Sequence, residues 1–94
     1  MAAAEVLRKM SFMSMGAEAY EIERKSTFRT EFIRQSCETL KTSPQMLRRR
    51  DPEYYDIILA NASAATDRMW EEEKKLIAKW EEQRRKIRES VTLS

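Results

Sequence analysis

The sequence predicts an all-α protein, an antiparallel helical hairpin with one long C-terminal helix projecting beyond it and little or no β structure. Three observations lead there. One glycine and two prolines in 94 residues leave little material for the tight turns of hairpin-rich β folds. Alanine, glutamate, lysine, arginine, leucine and methionine, all good helix formers, make up much of the chain. Apolar residues recur at three- and four-residue steps over most of the length, the spacing of one helical face.

Residues 1–16 form an N-terminal arm. Val6, Leu7, Met10 and Met13 can share one face of a short helix, with Arg8 and Lys9 beside it. The stretch is weakly basic, contains serine and has Glu5 as its one acid. That fits a retained mitochondrial targeting segment, or a terminus that docks through methionines, which fill irregular gaps well. Docking is the favoured expectation. Gly16, the one glycine, separates the arm from residues 17–94, the helical hairpin with its extended helix.

From Ala17 to about Lys41 the apolar positions are Tyr20, Phe28, Phe32, Ile33, Cys37 and Leu40, and the four- and three-residue steps among the last five predict an amphipathic helix. Glu21 and Lys25 form an i,i+4 pair in the favourable order. Pro44 disfavours helical geometry at Ser43 and stops the preceding hydrogen-bond ladder. Thr42 and Gln45 have capping-box spacing, so Pro44–Arg50 should be one or two helical turns with Met46 and Leu47 buried.

The last helix should run from Asp51 to about Val91. Asp51 suits the N-cap, Pro52 the first helical position, and Glu53 and Asp56 complement the dipole. At 1.5 Å per residue it would be about 60 Å long, against a radius of gyration of about 12 Å for a compact chain of this size. Its first half, Tyr54–Ala65, carries Ala60, Ala62, Ala64 and Ala65, which let a neighbouring helix approach, with Phe28, Phe32 and Ile33 as partners. From Arg68 onward the first helix should have been outrun. Met69, Trp70, Leu76, Ile77, Trp80 and Ile87 would then form an apolar stripe needing a partner from outside. Ion pairs Glu71–Lys75, Glu81–Arg85 and Glu82–Lys86 should help that half stay helical, and Glu71–Glu73 reads as a solvated face. Between Met69 and Leu76 the apolar phase slips by one position, which argues against a long dimeric zipper.

No residue pattern names a reaction, and an enzyme is not expected. There is no histidine for general-base chemistry or metal ligation, and no glycine-rich loop to cradle phosphate. Cys37, at a helical apolar position, reads as a small buried hydrophobe rather than a nucleophile. No cofactor is implied. A single cysteine fits a reducing intracellular compartment, mitochondrial matrix or cytosol, and no apolar run is long enough to span a bilayer.

The expected function is therefore a non-catalytic helical adaptor or accessory subunit, binding a protein partner through the stripe of its long helix. One alternative is a nucleic-acid-contacting component of a ribonucleoprotein, using Arg48, Arg49 and Arg50 with Arg84, Arg85 and Arg88 for phosphates or an acidic partner. Against it, the net charge is only +2, and glutamates alternate with the basic residues along the last helix. The other alternative is self-association through the long helices.

Overall fold

The computed structural model describes the backbone of residues 3–93 and the side chains of residues 3–91. The first two residues of the expected arm and the last residue of the chain lie outside the described residues. Four helices follow in order: α1 Ala3–Met15, α2 Ala17–Thr39, α3 Pro44–Arg50 and α4 Pro52–Leu93. There is no strand among the described residues. The molecule is a rod of 65 × 21 × 19 Å with a radius of gyration of 17.9 Å. Its long axis is α4, whose 42 residues span about 63 Å.

Helix α2 ends where the hydrogen-bond ladder is closed by its own last turn. Lys41 takes a left-handed φ of 57°, which lets Thr42 N–H donate to Cys37 O (3.0 Å) and Lys41 N–H to Glu38 O (2.9 Å). That is the six-to-one and five-to-two pairing of a Schellman cap, here without the usual glycine. Ser43 then starts α3, its hydroxyl accepting from Met46 N–H at 3.2 Å. The cap is thus one residue later than the Thr42–Gln45 spacing suggests, because Pro44 fits the first helical position only if Ser43 precedes it as N-cap. Asp51 both closes α3 and opens α4. Its N–H donates to Leu47 O at 2.8 Å, and its carboxylate accepts from Tyr54 N–H at 3.1 Å. Of the two residues expected to be buried in α3, Leu47 is, while Met46 is exposed.

These two corners fold α2 back antiparallel to α4. At the inner end Cys37, Leu47 and Ile58 form a core with Ile33 and Tyr55 against it. Ala62 and Ala65 are buried and Ala60 and Ala64 are exposed, so only two of the four alanines face inward. Phe28 and Phe32 are half-buried and pair with each other, ring centroids 6.5 Å apart. Buried Thr66 satisfies its hydroxyl on Ala62 O at 2.6 Å, inside its own helix. The hairpin is longer than the sequence suggests. Tyr20, in the first turn of α2, lies against Trp70 and Glu73, so α2 accompanies α4 well past Ala65.

Candidate functional site

The residues expected to seek an outside partner lie where α1 meets the outer half of α4. A second core sits there, made of Phe12, Tyr20 and Trp80, with Trp70, Leu76 and Ile77 packed against it. Trp80 is only 2% exposed. Its ring lies 5.9 Å from Phe12, which meets Tyr20 edge-on at 5.5 Å, and Tyr20 lies 6.4 Å from Trp70. Lys25 Nζ sits over the Trp70 ring at 5.3 Å, a cation–π contact. The expectation that this half of α4 has no partner within the chain is therefore corrected: the arm covers it. Met69 is half-buried, and of the six stripe residues Ile87 alone is exposed, at 66%.

Helix α1 reaches this position by turning at Gly16, whose φ of 91° and ψ of 164° belong to a region essentially open to glycine alone. One wall of a cavity of about 180 Å³ is lined by Leu7, Arg8 and Ser11, and the other by Glu23, Arg24 and Thr27. The arm is thus folded back along the start of α2 and across α4.

The face that docks is not the one the sequence suggests. Phe12 is the buried side chain of α1, whereas Val6, Leu7, Met10, Met13 and Met15 are exposed, Leu7 and Met10 by 63% and 62%. On a helix with 100° per residue, Val6, Leu7, Met10 and Met13 fall on one side, and Arg8 and Phe12 on the other. Arg8 Nε donates to Glu73 Oε1 at 3.2 Å, and Lys9 Nζ to Gln83 Oε1 at 3.0 Å. The arm turns its charges inward and its methionines outward.

Glu73 explains why charge is wanted there. Rather than lying on a solvated face with Glu71 and Glu72, it is 3% exposed. Its carboxylate accepts from the Tyr20 hydroxyl and from Arg8, and Arg24 Nε stands 3.6 Å away, buried and too distant for a hydrogen bond. An isolated carboxylate buried this deeply would be strongly disfavoured, and two guanidinium groups compensate it. Burial, then the hydrogen bond to Glu73, push the Tyr20 phenol up to about 12, so it remains a donor through the neutral range. Sequence spacing could not find this group, because Arg8 and Glu73 are 65 positions apart. The hint in the sequence is aromatic: Trp70 and Trp80 on the outer half of α4 need aromatic or apolar company, which Tyr20 and Phe12 supply.

The other expected contact residues do not form one patch. Arg48, Arg49 and Arg50 are exposed at the α3 corner, and Arg84, Arg85 and Arg88 are exposed near the far end of α4. Some 30 helical residues, about 50 Å, separate the clusters. Arg85 is held by Glu82 and by Glu89, at 2.6 and 3.0 Å. Glu71–Lys74, Glu72–Lys75 and Glu82–Arg85 pair one residue closer than the i,i+4 pairs expected, and Arg85–Glu89 is an i,i+4 pair with the base placed first. Cys37 is 0% exposed and a free thiol, its pKa raised by burial, as a buried hydrophobe should be. Among the described residues, no helix is long and apolar enough to cross a membrane. Comparison of the chain with family models, with curated proteins and with solved structures finds no match.

Proposed function

We propose that the chain is a non-catalytic helical adaptor or accessory subunit of a larger protein assembly. The observation that supports this reading is the outward apolar face of α1: Val6, Leu7, Met10 and Met13, on a helix whose charged side chains point inward. A surface helix in water gains free energy by turning such a face toward its own core, and a contiguous exposed stripe is a recurrent mark of an interaction surface. Methionine side chains adapt readily to an apolar partner. Trp70, Leu76, Ile77 and Trp80 serve the chain's own core, so the partner-facing role passes to this face and to Ile87 on the overhanging end of α4.

The test compares the wild-type chain with a Leu7→Glu, Met10→Glu variant, both tagged and expressed in the cells that naturally make the protein. Both substituted positions are well exposed, so the fold should tolerate the change. In a gentle lysate the wild type should sediment far above its 11.2 kDa, and the variant should sediment as the free chain. Identical sedimentation of the two would refute the reading.

A further inference from the structure

From the turn at Gly16 we infer that α1 can leave its own chain and occupy the same seat on a second copy, giving a domain-swapped dimer. This does not depend on the adaptor reading. Helical hydrogen bonding is complete up to Gly16 from both sides. Gly16 N–H donates to Phe12 O, and Tyr20 N–H donates to Gly16 O, each at 3.1 Å. The torsion angles of one residue thus separate two helices from one continuous helix, Ala3 to Thr39.

The bent form leaves that continuity unused. The first N–H groups of α2 have no intrahelical carbonyl, and Gly16 offers no side-chain cap. Straightening the chain at Gly16 would let Ala17, Glu18 and Ala19 donate to Met13, Ser14 and Met15, and would carry α1 off its seat by up to about 20 Å. The uncovered seat, with Tyr20, Trp70, Trp80 and the buried carboxylate of Glu73, has one occupant already known to fit: a helix carrying a basic residue and, four positions later, a phenylalanine. A second copy of this chain supplies it as Arg8 and Phe12, and each copy fills the other's seat, with the Arg8–Glu73, Lys9–Gln83 and Phe12–Trp80 contacts re-formed between chains. A connection of a single residue, whose two torsion angles decide between bent and straight, is the arrangement that favours exchange of an element between copies.

The experiment measures association of the purified full chain by sedimentation equilibrium across the micromolar range. Gly16→Ala penalises the bent backbone and favours the straight helix, so the dimerisation constant should rise by at least about tenfold over wild type. Adding Phe12→Ala should remove the dimer while the α2–α4 hairpin stays helical. To identify the contact, chains carrying Lys9→Cys and chains carrying Gln83→Cys, both in a Cys37→Ala background that keeps Gly16, are incubated together at high concentration and treated with a bismaleimide. Those two side chains are hydrogen-bonded at 3.0 Å in the bent form, so the swap predicts a cross-link between different chains. A Gly16→Ala chain that stays monomeric, a dimer that survives Phe12→Ala, or the absence of the inter-chain cross-link would each overturn the inference.

Discussion

Glu73→Gln is the most informative single perturbation of the junction between α1 and α4. The amide keeps the volume and an acceptor for the Tyr20 hydroxyl, removes the charge, and turns the second oxygen into an NH2 donor beside the two guanidinium groups. The wild-type carboxylate is 4% exposed and faces Arg8 Nε at 3.2 Å and Arg24 Nε at 3.6 Å, with a further bond from Tyr20. Removing one member of a fully buried ion pair costs about 3–5 kcal/mol. Arg8 and Arg24 are each about a quarter exposed and recover part of their hydration, so the expected loss is smaller, about 2–4 kcal/mol. Such a loss corresponds to a drop in Tm of at least about 8 °C in a chain of this size. The assay is urea unfolding followed by circular dichroism at the helical minimum, with Tyr20→Phe and the double variant closing a cycle. The two substitutions should be strongly non-additive, because they remove members of one network. As a control, Glu72→Gln breaks a pair in which both side chains are three-quarters exposed and should leave the unfolding curve where it is. A loss below about 1 kcal/mol for Glu73→Gln would refute the idea that this carboxylate is what holds Arg8, and with it α1, inward.

Three further outcomes follow from the same geometry. Tyr20 in the folded chain is pushed up to about 12, against 10.0 for an unperturbed phenol, so between those values the folded state holds a proton that the unfolded chain has released. Stability should therefore be undiminished by this group below pH 10 and fall by up to about 1.4 kcal/mol per pH unit from 10 to 12, a slope that Tyr20→Phe should abolish in alkaline urea titrations. Lys41 occupies the left-handed C′ position of the Schellman cap, so Lys41→Gly should raise stability by up to about 1 kcal/mol in equilibrium unfolding, and a loss would show that the side chain contributes more than the backbone strain removes. Cys37 should react with a thiol reagent only at the rate of unfolding, because it is wholly buried and burial disfavours its thiolate; rapid labelling of the native chain would contradict the inner core as described.

Local chemistry was enough to place the helices. Gly16 and Pro44 break the chain, Asp51 followed by Pro52 restarts it, and steps of three and four give α2 and α4 inner faces on which Cys37 and Ile58 meet and Ala62 is buried. Those are short-range rules of backbone freedom, capping and periodicity, and each is written within a few residues. Only the tertiary structure decided which way α1 folds and which of its faces docks. Periodicity favoured the four-residue apolar face of Val6, Leu7, Met10 and Met13, yet a single aromatic, Phe12, sits inward. Its seat is aromatic, and the carboxylate of Glu73 beside that seat requires cations, which Arg8 supplies from the same side of the helix. Beyond Arg68 the long helix is accompanied by Tyr20 and then by the arm, and the apolar face left outward is that of α1. A hydrophobic pattern states how much surface needs covering; which partner covers it depends on pairings 53 to 74 positions apart, and no local spacing carries those.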